Sequence, residues 1–375
     1  MTISTRGLAL CLVLCAGVLL LQLAAFADDA KPYLDRSSVQ ITTCREIVYI
    51  DPPKGQGDEQ WAVWKWTPKV DFTVYGPLPA GSAIYVEFSK PDGKPWLTLD
   101  YDTPEVGNGQ WVDFQGNPNA QEGKSITDTG LFPFKIGYKS ELSNAAGVLF
   151  SGKVMIKKFL CAVNDLPKFS RQFTFYADQD WNLPIGYLYC PKFFRYPSGA
   201  TDFEFESPLR CQMWFALDNM SGPSISAFLF YNGKLIACTD KADEGSVREN
   251  VVNLAPEEGE RCCFVRYTIE FMRTLVWDKR PEDHPDAEWF HLEKSPGDYE
   301  IKVLVSKHLV RYAKFTVGAD GKIVDNGLAQ KGNVGTFKML LPVKVSGTED
   351  RKWDPQAYKT AAFWYNPVEG FEPPQ

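Results

Sequence analysis

Two of the chain's three histidines, His284 and His291, flank Glu288 in the stretch 282–291, which reads Glu-Asp-His-Pro-Asp-Ala-Glu-Trp-Phe-His. Two imidazoles and one carboxylate form a ligand set used by zinc and non-haem iron, so His284, Glu288 and His291 are the candidate metal ligands of a metal-dependent hydrolase. Their spacing, H-x3-E-x2-H, departs from the helical H-E-x-x-H, whose histidines lie four apart on one face. The same residues also read as a solvated acidic loop pinned by Trp289 and Phe290. That plainer reading is carried forward, and no cofactor is expected.

Tryptophan offers a second chemistry. Trp61, Trp64 and Trp66 stand close together, and Trp64 and Trp66 share a face if the run is a strand. Exposed indoles stack on sugars and anchor interfaces, so Trp61, Trp64 and Trp66 are the candidate ligand-binding residues, with Trp96 and Trp111 able to extend the platform. Buried indoles would instead fill a core. The pairs Asp100/Asp102 and Asp178/Asp180 suit either acid–base hydrolysis, which needs carboxyls roughly 5–10 Å apart, or calcium, although no D-x-D-x-D-G loop is present. Such pairs also arise by chance in an acidic chain. The run Gly123-Lys124-Ser125 ends like a phosphate loop, but Pro118 stands where the motif needs its first glycine. No G-x-S-x-G elbow occurs, and no cysteine has a papain-like setting. The expectation is a protein that is not an enzyme.

The elements that must position these residues are β-strands. Of 375 residues, 44% are hydrophobic, 23% charged and 14% aromatic, with 29 Gly and 26 Pro. Strands favour aromatics and turns favour Gly and Pro, and no long amphipathic helix interrupts the pattern. The chain opens with an export signal. Arg6 precedes an apolar run from Leu8 to Leu21, and small residues at Ala25 and Ala27 fit cleavage after Ala27. The protein is therefore expected to be secreted or periplasmic, with a mature chain that does not insert into a membrane. Removing residues 1–27 takes away one charge, Arg6, leaving 39 Lys and Arg against 47 Asp and Glu. That acidic balance excludes nucleic acid as a partner and leaves an envelope protein or glycan. Seven cysteines remain, and export permits disulfides; Cys44 and Cys161 bracket one half of the chain and are the candidate pair.

The halves echo each other. Ala83–Phe88, Asp92-Gly93 and Trp96–Leu99 match Ala227–Phe230, Asn232-Gly233 and Leu235-Ile236. Asp-Gly and Asn-Gly between apolar runs predict hairpins, because both central residues of a type I′ turn need positive φ. Gly130–Ile136 and Gly297–Val303 then alternate with period two, as half-buried strands do. A further hairpin is expected after each: residues 148–150 with 154–156, and 309–310 with 313–317. Short strands with frequent turns, together with the Gly-Asp-Tyr-Glu-Ile-Lys-Val strand at 297–303, resemble tandem bacterial immunoglobulin-like or fibronectin-type modules. That resemblance implies two β-sandwich domains, an architecture rather than an activity. The expected division is a signal peptide at 1–27, one sandwich at 28–164, and a second with an inserted loop at 168–346. The boundary falls at Asn164–Lys168, and an aromatic, Pro-rich tail at 347–375 folds back onto the second domain. An exported binding or scaffolding protein of the cell envelope is the function this reading supports.

Overall fold

The computed structural model describes residues 31–51, 61–160, 173–189, 209–217, 224–240, 245–253, 263–271, 292–332, 338–348, 350, 352–363 and 367–375. The expected export signal and the expected boundary at 164–168 lie outside these residues. Among them the chain is all-β, and the α-helix there is one short turn at Leu328–Gly332. The first half holds β1 (Tyr33–Leu34), β2 (Gln40–Ile50), β3 (Trp61–Tyr75), β4 (Ser82–Ser89), β5 (Pro95–Tyr101), β6 (Trp111–Phe114), β7 (Gly130–Ser140), β8 (Ala146–Leu160) and β9 (Phe173–Ala177). The second half holds β10 (Ile185–Tyr189), β11 (Leu209–Leu217), β12 (Ile225–Tyr231), β13 (Lys234–Cys238), β14 (Gly245–Asn253), β15 (Cys263–Phe271), β16 (Gly297–Val305), β17 (His308–Val317) and β18 (Met339–Val345).

Alternation builds the first core. Ile84, Val86 and Phe88 of β4 point inward while the residues between them are half-buried. They face Phe72 and Val74 of β3 across a core that also takes Phe132, Ile136 and Ile156. One wall is the sheet β1-β3-β2, with β6 paired to the far end of β3; the other is β5-β4-β7-β8-β9. In the second half, nine strands run in the order β13-β12-β16-β17-β18-β10-β11-β15-β14. That sheet folds on itself so that Leu229, Ile301 and Val310 meet Met213, Phe215 and Ile269. β18 makes the corner. Its residues Met339–Pro342 pair with β10, and Val343–Val345 pair with β17.

The repeat in the sequence is a repeat of topology. The order β5-β4-β7-β8 in the first half matches β13-β12-β16-β17 in the second. Both glycines that open the matched strands are left-handed, Gly130 at φ 120° and Gly297 at φ 151°. Of the two expected type I′ hairpins, Asn232-Gly233 has it, with φ 46° and 81°. At 90–94 the turn differs, because Pro91 holds φ negative and only Gly93 turns left-handed, at φ 85°. The Gly93 N–H bonds to the Lys90 carbonyl at 2.8 Å, and the Lys90 N–H returns to the Lys94 carbonyl at 2.8 Å.

The two expected second hairpins are both corrected. Residues 148–156 run straight through β8, and 309–317 straight through β17. Within β8, Gly152 is there for space: a Cβ on it would lie 2.9 Å from the Phe150 ring and 3.0 Å from the Phe134 ring. The true turns fall earlier, at Glu141–Ala145 and at Ser306-Lys307. The tail meets both halves. Tyr358, Phe363, Val368 and Phe371 join the core of the first half, which also takes Ile185, Tyr187 and Leu340, while Trp353 packs on the cluster of Trp214 and Phe264 in the second.

Candidate functional site

Trp64 and Trp66 share a face, as period two demands, and that face points inward. Trp66 is 1% exposed. Its indole N–H donates to the Asp128 carbonyl at 3.0 Å, and its ring meets Trp96 and Phe132 edge-on at 5.1 Å each. Trp64 is 7% exposed and lies under the Arg45 guanidinium, 4.4 Å from the ring centroid. The backbone of Trp61 opens β3, and its side chain lies outside the described residues. Trp96 is anchored by its N–H to the Lys124 carbonyl at 2.9 Å, and Trp111 packs against Tyr75 at 6.2 Å. A flat tryptophan platform for sugars is therefore absent from Trp64 and Trp66, which are core.

The candidate metal ligands His284, Glu288 and His291 lie outside the described residues. Among the described residues no group of three or more His, Cys, Asp or Glu side chains could hold a metal ion. The remaining histidine, His308, sits exposed at the start of β17. Of the candidate disulfide, Cys161 lies outside the described residues, while Cys44 is a free, buried thiol. Its S–H reaches the Asn117 carbonyl at 3.7 Å, and burial pushes its pKa up.

Two features stand out at the surface. The first is a cleft of about 460 Å³ where the end of β5 meets β6. Its walls bring Asp100 and Asp102, paired in sequence, together with Asp113, Asn117 and Gln121. Several of these groups are pre-set: Thr73 Oγ1 donates to Asp113 Oδ1 at 2.6 Å, and the Asn119 N–H donates to Asn117 Oδ1 at 2.9 Å. Tyr101 forms part of the floor and donates its hydroxyl to the Val70 carbonyl at 2.7 Å. Burial raises its pKa, so the phenol stays protonated. The cleft is rich in hydrogen-bond acceptors, and its chemistry fits a hydroxyl-bearing or cationic ligand and repels an anion. Sequence found Asp100 and Asp102; Asp113 and the amides lie on separate strands and loops and carry no local signal.

The second feature is the outer end of the β2–β3 ribbon. There β2 is the edge strand among the described residues, and Ile47 (41% exposed), Tyr49 (59%) and Ile50 (43%) project outward. They pair in register with Trp64, Ala62 and Trp61. Apolar side chains left together on a strand edge mark an interaction surface, because an edge offers both unpaired backbone groups and hydrophobic area.

Comparison with known proteins adds little to this geometry. No family model matches the chain, and no curated protein matches it. Among solved structures, the chain is similar at 9% identity to an "anti-sigma factor domain-containing protein", covering 74% of this chain and 92% of that one with a TM-score of 0.13. It is similar at 11% identity to the product complex of a multi-modular glycogen-degrading pneumococcal virulence factor, SpuA, covering 76% of this chain and 37% of that one with a TM-score of 0.11. Similarity at that level carries no argument about fold or function.

Proposed function

We propose that this is an exported, non-catalytic binding or scaffolding protein of the cell envelope, built from two immunoglobulin-like sandwich modules and acting through protein–protein contacts. The observation that carries the reading is the exposed apolar edge at Ile47, Tyr49 and Ile50. Burying a side chain of this size at an interface is worth roughly 1.5–3 kcal/mol, and an edge strand can add a partner's strand to its own sheet. The apolar run from Leu8 to Leu21 followed by Ala25 and Ala27 supports export.

A second reading, binding of an envelope glycan, rests on the acceptor-lined cleft at Asp100, Asp102 and Asp113 rather than on tryptophan. One experiment addresses both. The mature protein from Asp28 serves as bait on solubilised envelope of its source, and captured protein and glycan are both analysed. Near-stoichiometric capture of one protein, abolished by Ile47→Asp with Tyr49→Asp and retained by Asp102→Ala, is the expected result. Capture of glycan lost only in Asp102→Ala would replace the first reading with the second. Capture of nothing would defeat both.

A further inference from the structure

We infer a divalent-cation site, of a kind suited to calcium, at Asp178, Asp180 and Asn182, where the first half, the second half and the C-terminal segment meet. The sequence Asp178-Gln179-Asp180-Trp181-Asn182 places an oxygen-bearing side chain at every second position, the spacing with which calcium loops open. It lacks the glycine that follows in such loops; Leu183 stands there instead. The turn is made differently, with the Asn182 N–H donating to the Gln179 carbonyl at 2.8 Å and the Leu183 N–H to the Asp180 carbonyl at 3.3 Å.

Burial is what turns this spacing into a site. Asp178 is 6%, Asp180 3% and Asn182 4% exposed. Lys157 takes Asp178 Oδ2 at 2.8 Å and approaches Asp180 Oδ2 at 3.9 Å, and the Asp354 N–H takes Asp180 Oδ2 at 3.0 Å. Asn182 spends its amide nitrogen on Gln179 Oε1 at 2.6 Å. That leaves Asp178 Oδ1 and Asn182 Oδ1 enclosed with no donor. An enclosed carboxylate or amide oxygen without a donor is costly. A hard cation satisfies such oxygens directly. Around the site stand Met155, whose carbonyl accepts from the Asp178 N–H at 2.8 Å, and Trp181, whose ring packs on Phe363 of the tail at 5.5 Å. An ion here ties β8, the turn after β9 and the tail together.

The test uses the full mature chain, stripped of metal by chelation and titrated with calcium chloride, with magnesium chloride in parallel. Few protein oxygens imply an affinity in the range of extracellular modules, about 10⁻⁴–10⁻³ M. Saturating calcium is expected to raise the melting midpoint by about 2–4 °C. Asn182→Ala and Asp178→Asn should each weaken calcium binding by at least about tenfold. Lys157→Met removes the competing ammonium and should tighten binding severalfold, an outcome that a purely lysine-paired cluster does not produce. A midpoint unmoved by calcium, or variants that respond as the wild type does, would overturn the site. An equal response to magnesium would overturn its suitability for calcium.

Discussion

Cys211 and Cys44 show how position decides what a side chain can do. The proposed export would make both eligible for a disulfide, yet neither is bridged, and burial pushes the Cys211 thiol up to about 12. Since the thiolate is the nucleophile, raising the pH from about 7 to about 9 should leave Cys211 unlabelled by iodoacetamide in the native protein. Peptide mass mapping should find Cys44 and Cys211 both labelled once the chain is unfolded without reductant. Native labelling of Cys211 would refute its burial, and Cys44 left unlabelled after unfolding would restore the bridge to Cys161. The tryptophans teach the same lesson. That Trp64 and Trp66 share a face was legible from strand period alone; that the face is inward was not, because period two fixes a relation between neighbours and says nothing of which sheet lies opposite. The cleft was half legible for a related reason. Asp100 and Asp102 are neighbours in sequence, whereas Asp113 reaches them through the pairing of β6 with β3.

At the scale of the element, turn chemistry was readable where the residues announce it and silent where they do not. Asn232-Gly233 makes the turn its composition predicts. Ser306-Lys307 makes the equivalent turn in the second hairpin of that half with φ 48° and 71°, values that non-glycine residues adopt at a cost. Nothing in Ser-Lys signals it. The turn exists because β16 and β17 pair from Gly297↔Val317 to Val305↔His308, and the chain must reverse between them. Tertiary pairing therefore overrides local preference here. It follows that Lys307→Gly should stabilise the protein by about 1 kcal/mol, since glycine enters left-handed backbone without steric cost. Urea unfolding of the variant beside the wild type would show it as a higher midpoint at unchanged slope. A variant less stable than the wild type would mean that the Lys307 side chain contributes more than its backbone costs.

For the molecule as a whole, the weak internal repeat made two halves legible, but their mutual dependence was not. The first-half core is completed by Ile185, Tyr187 and Leu340 from the second half and by Tyr358, Phe363, Val368 and Phe371 from the tail. Buried charge fastens the same join. Lys338 beside β18 donates to Asp35 Oδ2 at 2.6 Å near β1, and the Arg266 side chain donates to the Ser37 carbonyl at 3.4 Å. Arg311, fully buried, donates to both Asp350 oxygens at 2.6 Å and to the Trp214 carbonyl, with its guanidinium 4.1 Å from the Phe215 ring. Asp350 is thus the point at which the tail is fixed before its aromatics enter the opposite half. Removing one partner of a buried pair leaves the other charge uncompensated, so Asp350→Ala should cost about 3–5 kcal/mol. Chains of this size commonly unfold domain by domain, and in independent modules that loss would appear in one transition only. Here the shared core couples the halves, so hydrogen exchange in increasing urea should show β4 and β7 of the first half losing protection together with β16 and β17 of the second. If Asp350→Ala left the protection of β4 and β7 unchanged, the halves would be independent modules joined only by sequence.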